Sequence, residues 1–242
     1  MKINDRIYWI SGGPWGYLGN AYAIKHSNGY VLVDTGSPEA LDVIVKNLKY
    51  WNIDENKITH VLITHAHDDH TGCAHYFQKC GAKIVMGKED AKMLEDGHLG
   101  EYSPCTNHVM PACKADILID KDEILQIGDL EFEILCLPGH TDGTLLYFVR
   151  IDDENVMFSG DMFYTDGKWG EFTRTGWKGD LSYNSKKLGE SFERLYKLKE
   201  EPDLALAGHG IPRFGKEAEV IRLAYKYYFC LLYTSPSPRD TR

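Results

Sequence analysis

The chain alternates short β-branched and aliphatic runs with stretches whose apolar positions recur every three or four residues. Residues 21 to 35, "AYAIKHSNGYVLVDT", read as two alternating strands joined in a hairpin at Asn28 and Gly29. Leu41, Ile44, Val45 and Leu48 then share one helix face over residues 38 to 51, with Ser37 as the cap and Pro38 behind it. "HVLIT", residues 60 to 64, is a short buried strand. "TGCAHYFQKCG" reads as a short helix between Thr71 as N-cap and Gly81 as C-cap. A strand at 82 to 87 and a helix near 88 to 96 complete the order β, β, α, β, α, β, α.

The second half repeats the alternation. "ILID", "EILQIGDLEFEILCLP", "GTLLYFVR" and "NVMFSG" are predicted strands, the second segment turning at Gly128 and Asp129. Residues 182 to 199 form a helix whose face carries Leu188, Phe192, Leu195 and Leu198, and "PDLALAGHG" is a last strand running into a loop. Two such halves predict an α/β protein of the α+β type, a sandwich of two sheets with helices outside. Segment 97 to 116 has no clear period and is long for a connection, so it is expected to form a lid beside a site.

Composition narrows the options. At 242 residues with 43% apolar content the chain can bury a large core, and nothing in it forces a division. We expect a single domain over residues 1 to 229. After Tyr228 the string "FCLLYTSPSPRDTR" clusters Ser and Pro and resembles translated sequencing-adapter read-through. Residues 230 to 242 are therefore expected to be a non-native or disordered tail. A net charge of −9 gives no basic face for nucleic acid. No apolar run reaches membrane-span length, and "MKINDRIYWISGG" lacks a signal-peptide core, so a cytoplasmic location without a membrane partner is expected. The six cysteines show no CxxC pairing and read as reduced thiols. Cys105 and Cys113 flank His108 and offer either a second metal site or a bridge, although their spacing matches no common zinc ribbon.

The chemistry gathers at "ITHAHDDHTG", where three histidines and two aspartates occupy residues 65 to 70. They sit where a predicted core strand ends, the usual place for a site in an open α/β sheet. Three more metal-type residues, His140, Asp161 and His209, each follow a predicted strand and sit beside a glycine. With His65, His67, Asp69 and His70 they make seven candidate ligands, more than one tetrahedral ion needs. Two zinc ions sharing one ligand and one hydroxide suit that number. His65 and His67 can face one ion, and Asp69 and His70 can turn to its neighbour.

The pattern HxHxDH at 65 to 70, followed in order by His140, Asp161 and His209, resembles the metallo-β-lactamase fold superfamily of metal-dependent hydrolases. The resemblance covers about residues 5 to 225 and includes "VLVDTG" at 31 to 36. It implies a four-layer αββα sandwich with the active site on the shared edge of the two sheets. It also implies that His65, His67 and His140 bind one metal, that Asp69, His70 and His209 bind a second, and that Asp161 bridges them. Asp34 would orient ligands from outside the ligand set. Water held between two dications loses a proton near neutral pH, and Asp69 is the natural acceptor for the proton that remains. Tyr164, in "GDMFY", can donate a hydrogen bond to the oxyanion or leaving group, or can simply be a packed strand-end aromatic.

Asp161 bears on the substrate, because family members that open β-lactams generally carry Cys or Ser at the bridge. The resemblance therefore points to the glyoxalase II-like and lactonase-like branch, acting on the ester, thioester or lactone carbonyl of a small molecule. Two alternatives stand beside it. One is an iron-dependent, persulfide dioxygenase-like oxidoreductase, and the other a phosphodiesterase-type hydrolase. Iron or manganese are the alternative metals to zinc. Trp169, Arg174 and Trp177 lie in the glycine-rich loop after Asp161, where they either line a substrate pocket or decorate a surface loop. Oligomeric state is not legible.

Overall fold

The computed structural model describes residues 1–13, 17–105, 107–166 and 174–234. Trp169 lies outside them. Strands β1 (Ile7–Ser11), β2 (Ala21–His26), β3 (Gly29–Val33), β4 (Ile58–Leu62), β5 (Lys83–Gly87) and β6 (Ile117–Ile119) form one sheet in that order. Strands β1 to β3 are antiparallel neighbours, and β3 to β6 are parallel. The second sheet is built from β7 (Glu123–Ile127), β8 (Leu130–Cys136), β9 (Leu145–Ile151), β10 (Glu154–Gly160), β12 (Leu204–Ala207) and β14 (Arg213–Phe214), in the order β14-β12-β10-β9-β8-β7. A small ribbon pairs β11 (Thr165–Asp166) with β13 (Gly210–Ile211).

Helices α1 (Leu41–Tyr50), α2 (Asp68–Thr71), α3 (Ala74–Lys79) and α4 (Ala91–Asp96) belong to the first half, and α5 (Ser185–Lys197) and α6 (Val220–Thr234) to the second. Side chains alternate across a strand, so a strand buried on both faces must be apolar at nearly every position. Strand β3 shows this: Leu32 packs outward on Ile44, Leu48 and Phe77, while Val31 and Val33 point inward with Phe132, Tyr147 and Phe158. On the far face of the second sheet, Leu135, Leu146, Phe148 and Met157 meet Leu188, Phe192 and Leu195 of α5 and Tyr228 of α6. Three apolar zones between four layers make the αββα sandwich. Among the described residues no helix is long and apolar enough to cross a membrane.

Several local expectations shift. The hairpin turn is Ser27 and Asn28, because His26 pairs directly with Gly29. Gly29 is needed for a different reason: a Cβ there would lie 2.3 Å from the Lys57 carbonyl oxygen. The helix expected between Thr71 and Gly81 is the shorter α3, and a separate turn of helix, α2, precedes it over Asp68–Thr71. Thr71 does not cap; its hydroxyl donates to the His67 carbonyl at 2.9 Å. Gly72 breaks the helix where the chain presses on the Ser37–Pro38 backbone, leaving no room for a side chain. Strand "ILID", predicted with the second half, contributes β6 to the first sheet beside β5. Helix α6 runs past residue 229 to Thr234, since extending an existing helix through Leu231 and Leu232 needs no new nucleation.

Phe132 is fully buried between the sheets. Its replacement by Ala should lower the stability by about 3–5 kcal/mol. Urea denaturation followed by circular dichroism reads this directly, and a loss below about 1 kcal/mol would contradict a close-packed inter-sheet layer.

Candidate metal centre

The parallel strands β3 and β4 of one sheet and β10 and β12 of the other end on the shared edge of the sandwich. The residue after each strand end, or a few beyond it, carries the chemistry. Asp34 follows β3, the 65–70 cluster follows β4, Asp161 follows β10 and His209 follows β12. His140 comes from the β8–β9 connection. Glycines at these exits permit close approach. A Cβ on Gly208 would lie 2.3 Å from Asp161 Oδ1 and 2.4 Å from the His70 ring. Gly160 has φ +50°, and a Cβ there would lie 2.6 Å from the Thr64 hydroxyl.

All seven sequence-predicted ligands converge. His65 Nε2, His67 Nδ1 and His140 Nε2 form a triangle with sides of 3.0, 3.1 and 3.2 Å. A tetrahedral ion with metal–nitrogen bonds near 2.05 Å holds its ligand nitrogens roughly 3.3 Å apart, so this triangle is of the right size for one. Beside it, His70 Nε2 lies 3.3 Å from Asp161 Oδ1 and 3.7 Å from Asp69 Oδ1. His209 Nε2 lies 3.0 Å from Asp69 Oδ2 and 3.5 Å from Asp161 Oδ2. Asp161 also reaches toward the first triangle, 3.9 Å from His140 Nε2. His70 Nε2 and Asp161 Oδ1 are buried with no hydrogen-bond partner among the described residues. Orphaned buried polar atoms are costly, and a cation between them would satisfy both. The donor set, imidazole nitrogen and carboxylate oxygen, suits a divalent metal.

The ligands are held from behind. Asp34, buried and in the left-handed region at φ 55°, accepts from the Thr64 amide and hydroxyl, both at 2.8 Å, and faces His70 Nδ1 at 2.8 Å. This is the orienting task expected of it. Asp180, which the sequence reading did not single out, lies 2.9 Å from His67 Nε2 and thereby turns Nδ1 toward the triangle. Asp90, also not singled out, is fully buried and accepts from the Ala66 amide, the Thr141 hydroxyl and the Gly143 amide. It ties the His65–His67 loop to the His140 loop. Asp90 comes three residues after the end of β5, closing a 3-10 turn over Lys88–Asp90, and Asp180 follows no described strand, so neither carries the signal of a metal-type residue directly after a strand.

Charge divides the site. Burial and the neighbouring imidazoles hold His65 well below the ordinary histidine range and His140 down to about 3, so these two present uncharged donor nitrogens. Burial works against charge on His70 too, but Asp69, Asp161 and Asp34 outweigh it and push its pKa well up. His209 is raised for the same reason, chiefly by Asp161 and Asp69. Burial likewise opposes ionisation of Asp69 and Asp161, yet the facing histidines keep both below the usual carboxylate range.

A cavity of about 170 Å³ opens over this floor. His67, Asp69, Asp161 and His209 line its base, and Leu99, Cys105, His108, Tyr164 and Trp177 its walls. Segment 97–116 thus lies beside the site, as expected of it. Tyr164 donates to Asp161 Oδ2 at 3.0 Å and packs edge-on against His209. Trp177 meets the His67 ring at 5.6 Å. Arg174 is exposed and does not line the cavity; its carbonyl accepts from the Tyr164 amide. No two of the six cysteines form a disulfide, and among the described residues Cys105, Cys113 and His108 do not converge on a common ligand position. The bridge and the second metal site weighed for them are therefore not formed: Cys113 packs into the core beside α4, while Cys105 faces the cavity.

Because Asp180 fixes the outer nitrogen of His67, Asp180→Asn should weaken metal binding at the three-histidine site by about 10–100-fold while the fold persists. Competition with a chromophoric chelator measures this, and unchanged affinity would remove Asp180 from the supporting shell.

The family description "Metallo-beta-lactamase superfamily" matches residues 14–209. Two proteins of Bacillus subtilis (strain 168) are similar in sequence. "Probable metallo-hydrolase YqgX" is 30% identical over 151 residues, 62% of this chain and 67% of that one. "Probable metallo-hydrolase YflN" is 27% identical over 225 residues, 82% of this chain and 83% of that one. The hydroxyacylglutathione hydrolase of Pseudomonas putida (strain W619) is 27% identical over 138 residues, 56% of this chain and 43% of its own length. In fold the chain is similar to BJP-1, a subclass B3 metallo-beta-lactamase of Bradyrhizobium japonicum, with a TM-score of 0.76 at 22% identity over 96% of this chain and 92% of that one. The chain belongs to the metallo-β-lactamase superfamily.

Proposed function

We propose that the chain is a dinuclear zinc hydrolase that cleaves ester, thioester or lactone carbonyls of small molecules. The observation that carries this is the position of Asp161, whose two carboxylate oxygens lie between the clusters, 3.3 Å from His70, 3.5 Å from His209 and 3.9 Å from His140. His65, His67 and His140 would hold one ion, Asp69, His70 and His209 the other, and Asp161 both. Bound there, such ions supply a hydroxide near neutral pH and polarise a carbonyl oxygen. An aspartate at the bridge, where β-lactam-opening members generally carry Cys or Ser, favours esters, thioesters and lactones over β-lactams. Similarity to the hydroxyacylglutathione hydrolase supports the same side of the family.

The chain's own groups divide the remaining work. Asp69, kept ionised by His70 and His209, accepts a proton from water at the cavity base. Tyr164 keeps its proton, because burial and Asp161 raise its pKa, so it can donate to the carbonyl oxygen or to the leaving group. Leu99 and Trp177 give the acyl group an apolar wall and reduce the access of bulk water.

A panel of thioesters, lactones, phosphodiesters and β-lactams tests the reading on the zinc-loaded protein. Hydrolysis of thioesters or lactones well ahead of the others is expected; preference for phosphodiesters or β-lactams would overturn it. Asp69→Asn should cut turnover by about 10²–10⁴-fold with the fold intact, and a fully active, metal-replete variant would contradict the proton-acceptor role. His209→Ala should lower the metal content from two ions toward one by elemental analysis. Unchanged content would remove His209 from the ligands.

A further inference from the structure

Asp68 sits between two proposed ligands, His67 and Asp69, yet belongs to none of the groups that can hold a metal. It is 1% exposed, and both its oxygens are taken by side chains from separate loops. Oδ1 lies 3.0 Å from His108 Nδ1, and Oδ2 accepts from the Tyr17 hydroxyl. The Tyr17 ring meets His108 edge-on at 5.0 Å, so the imidazole is gripped from two sides. The loop that carries it is pinned as well: the His108 amide donates to Cys105, Met110 donates to Gly97, and His98 bridges Val109. A buried carboxylate bound in this way fixes the position and the tautomer of a histidine that lines the reaction cavity.

The chemistry of the free nitrogen follows. In an imidazole with one ring hydrogen, the nitrogen facing a carboxylate is the one that carries it, so with Nδ1 against Asp68 the free Nε2 is the acceptor. Nothing among the described residues bonds Nε2, and His108 is only partly buried. Of the other walls, Leu99 and Trp177 are apolar and the Tyr164 hydroxyl is committed to donating to Asp161, so His108 is the histidine acceptor set into the wall. A site built to accept a hydrogen bond discriminates against substrates that cannot give one.

We propose that His108, held by Asp68 and Tyr17, is a specificity-determining residue that accepts a hydrogen bond from a hydroxyl or amide N–H on the acyl part of the substrate. This rests on the hydrolase reading for the word substrate, but the binding itself is independent of turnover. Matched acids that mimic hydrolysis products isolate the donor: lactate against propionate for a hydroxyl, and N-acetylglycine against levulinate for an amide N–H.

Calorimetry on the zinc-loaded protein at pH 8 should show a preference of about tenfold for the donor-bearing member of at least one pair. The pair that responds identifies the donor. His108→Leu should bring the ratio toward one, and His108→Gln, which keeps an acceptor oxygen, should restore part of it. Equal binding in the wild type, a preference that survives His108→Leu, or a loss that falls equally on both members would each overturn the inference. A preference that depends on His108 in a protein that cleaves none of the carbonyl panel would overturn the hydrolase reading and leave this one standing. Turnover without the preference would do the reverse.

Discussion

The structure depends on burying carboxylates at one edge of a two-sheet sandwich without leaving them unanswered. Asp34, Asp68, Asp90, Asp161 and Asp180 are all under 8% exposed. An unpaired buried charge costs several kcal/mol, so each of these side chains dictates what surrounds it. Asp34 binds the backbone and hydroxyl at the exit of β4 and a histidine of α2, which fixes the ends of two strands relative to one ligand. Asp90 joins a loop of the first sheet to one of the second through three donors. The shared edge is stitched together by these contacts, and the apolar layer between the sheets supplies the rigidity behind it.

The two halves of the centre differ in a chemically useful way. Burial and neighbouring imidazoles lower the pKa of His65 and His140 in one cluster, while facing carboxylates outweigh burial and raise that of His70 and His209 in the other. Asp161 spans the gap. The cavity above has apolar walls from Leu99 and Trp177, a Tyr164 hydroxyl donating to Asp161, and His108 held by Asp68, a carboxylate outside the candidate metal-holding groups.

Much of this was legible in the sequence because the ligands obey local rules. His65 to His70 are consecutive, and Asp34, Asp161 and His209 each follow an apolar strand, so period and spacing place them at strand ends, and the family resemblance implies that those ends meet on one shared edge. The sandwich followed from the alternation of periods. What escaped depends on contacts between residues distant in the chain. Asp180 meets His67 across 113 positions and Asp68 meets His108 across 40, and no spacing announces either pair. The placement of β6 beside β5 is likewise a matter of sheet order, which local pattern does not encode. The break at Gly72 arises from tertiary crowding against Pro38, so propensity alone read one helix where there are two. Arg174 sits in the same loop as Trp177 but does not line the cavity, a distinction that composition cannot make.

Elemental analysis of the purified, tag-free protein by inductively coupled plasma mass spectrometry tests the central claim most directly. About two zinc ions per chain is the expected result, because seven ligands shared through Asp161 provide for two ions. One iron per chain would contradict the dinuclear hydrolase and direct attention to oxygen consumption with persulfide.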